Sequence, residues 1–245
     1  MKNVAVKKVG IIGAMDIEVD ILKKALKPLA GETAPKETIA AGLTFVEGKL
    51  DDTFVVIVKS GVGKVNAALC AQRLALEFGV THIINTGIAG AMAHGLSVLD
   101  VVASTDALYH DMDATGFGYK VTQIPQMACS DFKADKKMLD AATVAFAGLK
   151  EAQGHQMVAG RIASGDQFIS SRDVKDRIKH DCKPACVEME GAAIAHACYV
   201  NKVPFIIIRC MSDMADDGEE ATYKFNDKVA AALSAGLVRK MLPLF

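Results

Sequence analysis

The stretch Val9-Gly-Ile-Ile-Gly-Ala-Met-Asp-Ile-Glu-Val-Asp-Ile-Leu-Lys-Lys-Ala-Leu-Lys27 sets the pattern of the chain. Residues 9–12 are apolar on both faces, as in a strand covered by layers above and below. Residues 16–27 then alternate apolar and charged side chains with helical spacing and open on acids, which complement a helix N-terminus. A buried strand feeding an amphipathic helix is the repeating unit of an α/β sheet.

Outward from this unit, residues 54–58, 82–85, 98–103 and 203–209 read as further strands, and residues 64–78 and 134–149 as further helices. Residues 43–50, the acidic pair Asp51-Asp52 and residues 53–58 read as strand, tight turn and strand, an antiparallel hairpin set among crossover units. The expected fold is therefore α/β: a single domain over residues 1–245, with a central, mixed but mostly parallel sheet flanked by helices in three layers. No internal repeat, low-complexity tract or linker interrupts it.

Charge and cysteine usage narrow the function classes. Lys and Arg number 28 against 29 Asp and Glu, with no block of like charge, which disfavours a nucleic-acid or membrane surface as partner. The six cysteines are scattered, and Cys182 and Cys186 have no second pair to complete a zinc site. The N-terminal residues meet Asp16, Glu18 and Asp20 before a long apolar run can form, so neither a signal peptide nor a membrane span is expected. Reduced thiols and that N-terminus point to a cytoplasmic protein.

In open α/β sheets ligands bind beyond the carboxyl ends of the strands. There the chain places Gly13-Ala-Met-Asp-Ile-Glu18, Ser60-Gly-Val-Gly-Lys64, Asn85-Thr-Gly-Ile-Ala-Gly90, Ser164-Gly-Asp-Gln-Phe-Ile169, Val187-Glu-Met-Glu190 and Arg209-Cys-Met-Ser-Asp213. Gly61-Val-Gly63-Lys64 is not a nucleoside-triphosphate loop, because Val58 and Val65 stand where Gly and Ser/Thr are required. Gly10-Ile-Ile-Gly13 lacks the third glycine of a dinucleotide site, and no Gly-x-Ser-x-Gly elbow occurs. Tyr109-His-Asp-Met-Asp113 gathers potential ligands at a spacing that matches no standard metal pattern. No cofactor and no metal are expected. Each strand-end acid has a plain reading as a helix-dipole partner; Glu18, Glu190 and Asp213 together also read as a carboxylate-rich cleft.

These segments carry a resemblance that spans nearly the whole chain. Gly10-Ile-Ile-Gly-Ala-Met-Asp-Ile-Glu18, Lys59-Ser-Gly-Val-Gly-Lys-Val65, Asn85–Gly90, Tyr109–Asp113 with Phe117-Gly-Tyr119, Ser164–Ile169, Val187–Glu190 and Ser212-Asp213 occur in the order found in bacterial methylthioadenosine/S-adenosylhomocysteine nucleosidases, of the nucleoside phosphorylase superfamily, which the chain closely resembles. The resemblance implies hydrolysis of an adenosine-type small molecule to adenine and a free 5-substituted ribose. By it, Asp213 would protonate the leaving purine with Ser212 orienting it, Glu190 would hold the ribose hydroxyls beside Met15 and Met189, and Glu18 would activate water. Phe168 would stack on the purine, and the backbone of Ile169 would pair with its edge. Val62, Phe117 and Tyr223 would surround the 5′ substituent, with Phe117, Tyr119 and Pro125 reaching into the partner's site of a homodimer.

Rupture of a ribosyl bond builds positive charge on the sugar and negative charge on the base, so an acid and anions are the groups required. Phosphorolysis is the competing chemistry of the superfamily. Glu18, about 4 Å from a phosphate dianion, would repel it by several kcal/mol at intermediate dielectric, which favours water. Ile88 stands where these nucleosidases commonly carry Ser, and Tyr223 and Ala114 also depart from the usual residues around the 5′ group. A futalosine-type hydrolase and a nucleoside sensor without catalysis are the remaining alternatives.

Overall fold

The computed structural model describes residues 6–215 and 220–245, the last of these as backbone alone for residues 220–225. In chain order its strands are β1 (Lys8–Gly13), β2 (Lys36–Ala40), β3 (Leu43–Leu50), β4 (Thr53–Lys59), β5 (His82–Ala91), β6 (Val101–Tyr109), β7 (Asp131–Lys133), β8 (Met157–Ser164), β9 (Cys186–Glu188) and β10 (Phe205–Asp213). The helices are α1 (Asp16–Lys24), α2 (Lys64–Leu76), α3 (Lys136–Ala147), α4 (Arg172–Cys182), α5 (Gly191–Asn201) and α6 (Glu220–Met241).

Local chemistry explains several boundaries. Glu18, in the first turn of α1, reaches back to accept the N–H of Met15, and Lys23 and Lys24 close the helix at its negative end. Asp135 caps α3 by accepting the Met138 N–H at 3.0 Å. The β3–β4 hairpin forms as expected, Leu50 opposite Thr53, and Asp51 takes the left-handed conformation (φ 51°) that a short polar residue tolerates in a two-residue turn.

Parallel ladders join β4 to β1, β1 to β5, β5 to β10, β6 to β8 and β8 to β9. Antiparallel ladders add β3, β2 and β7, and also join β9 to β5 and β6 to β10. The sheet is thus mixed, and because β10 pairs with both β5 and β6, the strands β5, β9, β8, β6 and β10 close into a ring.

Alternation along the strands divides the core. Val9, Ile11, Ile57, Ile206 and Ile208 pack with α1, α3 and α6 on one face, whereas Ile12, Val56, Val58, Phe205 and Ile207 pack with α2 and α5 on the other. Each such side chain, fully buried, contributes about 1.5–3 kcal/mol. The three layers are those expected from the strand-helix pattern, with three strands running past their apolar runs: β6 spans Val101–Tyr109 where the sequence suggests residues 98–103. β5 continues through Thr86-Gly-Ile-Ala-Gly-Ala91 and β10 through Cys210-Met-Ser-Asp213. The β5–β10 ladder runs along both extensions and carries small and polar residues that show no strand preference of their own.

Candidate active site

Three chain segments, at the start of α1, at the β9–α5 junction and at the end of β10, deliver four carboxylates to one cleft. Glu18 is 1% exposed; its Oε2 accepts the N–H groups of Ala14 (2.6 Å) and Met15 (3.0 Å), and its Oε1 accepts that of Ile88 in β5 (3.1 Å). It serves the α1 N-terminus and faces the cleft at once. Burial raises its pKa, against the opposing pull of Arg209 and these backbone donors. Glu190 stands at the N-cap of α5, and its Oε1 accepts the Gly63 N–H at 2.9 Å. Burial pushes its carboxyl up to about 7, with the Arg209 charge opposing and the negative charge of Glu188 adding to the rise. Asp213, at the end of β10, accepts the Ser212 hydroxyl on Oδ2 and the Ala215 N–H on Oδ1, both at 2.8 Å.

Strict alternation along a strand cannot turn two successive side chains into one cleft, yet Ser212 and Asp213 both line it. The β5–β10 register shifts between Met211 and Asp213, a bulge that re-aims the strand end.

The centre of the cleft is a cation that sequence reasoning passed over. Arg209 is 1% exposed within β10. Its Nη2 donates to Asn85 Oδ1 (2.6 Å), to Glu188 and, more weakly, to Glu190 Oε2 (3.4 Å); its Nη1 donates to the Ile88 carbonyl (3.1 Å) and lies 3.9 Å from Glu18 Oε1. Burial alone would disfavour its charge, but Glu188, Glu190 and Glu18 more than compensate and raise its pKa. Glu188 was also missed. It accepts the backbone N–H groups of Glu190 and Gly191 at the start of α5 and the Ser164 hydroxyl. The available signal was a charged residue inside Phe205-Ile-Ile-Ile-Arg-Cys210 and a second Glu two positions before Glu190, on the same side of an extended segment. Gly87 makes the arrangement possible: a Cβ there would lie 2.4 Å from both Arg209 Nη1 and Glu18 Oε1.

The cleft encloses about 100 Å³ and is lined by Met15, Glu18, Val62, Ile88, Phe168, Met189, Glu190, Arg209, Ser212 and Asp213. An adjoining lobe of about 40 Å³ lies between Gln167, Phe168, Ile169, Met189 and Asp213. Phe117, Tyr119, Pro125 and Ala114 line neither lobe. Phe117 instead is 88% exposed. The Tyr223 side chain lies outside the described residues. A wider groove of about 650 Å³ runs along residues 132–136 and 198–205, but it holds none of the cleft acids. Asp113 accepts from the Thr115 backbone and hydroxyl, and among the described residues no three His, Cys, Asp or Glu side chains converge on a metal position.

A model of the phosphorylase superfamily matches residues 8–243. The chain is 40% identical over 235 residues to the 5′-methylthioadenosine/S-adenosylhomocysteine nucleosidase of Staphylococcus haemolyticus, covering 96% of this chain and 98% of that one. The chain belongs to the phosphorylase superfamily, among its methylthioadenosine/S-adenosylhomocysteine nucleosidases. Within that superfamily it resembles the crystal structure of the Colwellia psychrerythraea nucleosidase in complex with adenine, with a TM-score of 0.90, 40% identity and coverage of 98% and 96% of the two chains. The futalosine hydrolase of Helicobacter pylori has a similar fold at 27% identity, with a TM-score of 0.88 and coverage of 98% and 99%. In this chain the buried acids lie where β1, β5, β9 and β10 converge.

Proposed function

We propose that the chain hydrolyses the N-glycosidic bond of 5′-methylthioadenosine and S-adenosylhomocysteine, and also of 5′-deoxyadenosine, to adenine and the free 5-substituted ribose. The observation that carries this reading is the state of Arg209. It is the only cation among the described residues lining the cleft, and Glu18, Glu188 and Glu190 already surround it. Among the described residues a phosphate dianion entering there would find no free positive charge and several buried carboxylates, whereas water meets no such barrier. Near full-length likeness to relatives named nucleosidases supports the same choice.

In the reaction the bond from the ribose anomeric carbon to the purine nitrogen breaks, and a bond from that carbon to water oxygen forms. Asp213 gives its proton to the departing purine, and the Ser212 hydroxyl holds the carboxyl in direction. Phe168 stacks on the purine, and the Ile169 backbone pairs with its edge. Glu190 takes the ribose hydroxyls, packed by Met15 and Met189. Glu18 orients the water and accepts its proton, and the buried carboxylates stabilise the cation-like sugar.

The chain works as a homodimer in the cytoplasm, in methionine salvage and removal of S-adenosylmethionine by-products. Val62, Val65, Leu69 and Leu76 on and beside α2, with Phe117, are 47–88% exposed and offer an apolar face to a second copy. Phe117, Tyr119 and Pro125 then complete the partner's 5′ pocket, where Val62 and Tyr223 also lie.

Incubation of pure protein with methylthioadenosine, with and without phosphate, tests the reaction. Free methylthioribose in both cases is expected, and exclusive formation of the 1-phosphate overturns the reading. The likeness to the futalosine hydrolase motivates a second reading, a larger 5′ arm. A higher kcat/KM for a futalosine-type nucleoside than for methylthioadenosine would favour it.

A further inference from the structure

The loops leaving β4, β6 and β8 are tied together outside the cleft by three charged residues. The Lys64 ammonium lies 2.5 Å from Asp111 Oδ2 and 3.7 Å from Asp166 Oδ2. The Lys64 backbone N–H donates to Asp166 Oδ1 at 2.8 Å, and the Asp166 N–H donates to Asp111 Oδ2 at 3.1 Å. Each residue therefore contacts both of the others, and two of the bonds use backbone groups. The Asp111 carboxyl is held below the usual range: partial burial opposes its charge, but the Lys64 and Asp166 donors prevail.

What these loops carry gives the arrangement its meaning. Immediately before Lys64, Gly63 donates its N–H to Glu190. Gly63 has φ of 99°, and a Cβ there would meet Asp166 Oδ1 at 3.1 Å, so a side chain at that position would strain the contact. Two and three residues after Asp166 come Phe168 and Ile169, on the walls of the cleft. Beneath the same loop, Gly165 lies so close to the His110 ring that a Cβ would come within 2.4 Å of it, while His110 N–H bonds the Ser164 carbonyl at 2.9 Å.

We infer that Lys64, Asp111 and Asp166 are positioning residues, a clamp that sets the purine-facing loop at residues 164–169 at a fixed distance from the Gly63–Glu190 ribose anchor. The inference rests on the assignment of purine and ribose to those two sites. An exposed ion pair taken alone stabilises little, and the Lys64, Asp111 and Asp166 side chains are 25%, 29% and 50% exposed. Here the charges fix backbone donors rather than only each other, so their effect falls on where the loops sit. None of the three lines the cleft, and none can hand a proton to the substrate. Their loss therefore weakens binding of the nucleoside and of adenine while leaving the chemical step in place.

The test compares the full chain with Lys64→Met, Lys64→Arg and Asp111→Asn, by steady-state kinetics on methylthioadenosine and by calorimetric affinity for adenine. Lys64→Met and Asp111→Asn should raise KM and the adenine Kd about tenfold, the weight of one charge-assisted contact, with kcat within about threefold of the parent. Lys64→Arg should recover most of the loss, because it restores the charge but not a general structural role. KM and adenine affinity within about twofold of the parent in both neutralising variants, or a fall in kcat at unchanged KM, overturns the inference. If Lys64→Met fails to fold, Asp111→Asn still decides the matter, since its amide oxygen can keep the Asp166 N–H. Absence of turnover by the parent chain would sink the hydrolase reading instead, and the adenine affinities would still judge the clamp.

Discussion

Replacing Arg209 by Met keeps the aliphatic stem of the side chain and removes the only charge, among the described residues of the cleft, that holds three buried carboxylates together. Glu188 contacts its Nη2, Glu190 Oε2 lies at 3.4 Å and Glu18 Oε1 at 3.9 Å. At an effective dielectric of about 20, unit charges at the latter two separations attract by about 4–5 kcal/mol each. Most of that offsets the desolvation of the ions, and removing one partner of a buried cluster costs a net of about 3–5 kcal/mol. Against a typical stability of about 5–15 kcal/mol, the variant should fold with a thin margin.

The loss must depend on pH, and its direction follows from the carboxyls. Glu190 is raised to about 7 in the folded chain, above its unfolded value, so the folded state holds a proton that the unfolded state has already released. Stability from this group is therefore lost as pH rises from the unfolded carboxylate range through 7. Without Arg209 the carboxyls hold protons still more firmly, and the deficit grows over the same interval. Urea titrations should show Arg209→Met about 4 kcal/mol less stable at pH 8, with a melting temperature lower by about 8–16 °C, and less than about 2 kcal/mol down at pH 5.5. A deficit under about 1 kcal/mol that is equal at both pH values would refute the idea that the cation organises the acids.

Asp213→Asn should lower kcat by about 10³ while changing KM far less, because the proton is needed in the transition state; equal effects on both would make it a binding residue only. Gly87→Ala should cost about 1–3 kcal/mol in a denaturant titration and abolish turnover, since the added carbon meets Arg209 and Glu18 at 2.4 Å; wild-type stability would show that the approach relaxes freely. Leu69→Asp places a charge on the exposed apolar face of α2, and sedimentation should then show monomer where the parent is dimeric; an unchanged dimer would move the interface elsewhere.

The fold was legible where one strand or helix stands on its own apolar pattern. Residues 9–12 and 54–58 and the 43–58 hairpin needed only short apolar runs and a polar turn, and they appear within a residue or so of expectation. Legibility failed where a partner decides. Thr86, Gly87 and Ser212 are held in strands by neighbouring ladders, and β7 and β9, at three residues each, are too short for any period. In the site, Glu18, Glu190 and Asp213 announced themselves as acids after apolar runs. Arg209 did not, because its partners Glu188, Asn85 and Glu18 lie about 20 to 190 residues away, and only the folded ring brings them together.

The bulge between Met211 and Asp213 amounts to one extra residue in an otherwise continuous ladder. Deleting Ser212 would restore plain alternation, put the next side chain on the face of Cys210, and remove the hydroxyl that steers the acid. Such a deletant would have the more regular sheet and the poorer cleft. An indel of this kind is therefore a route by which a descendant of the chain could trade turnover for robustness, keeping its fold, its buried arginine and Asp213 while losing the hydroxyl that holds that acid in place.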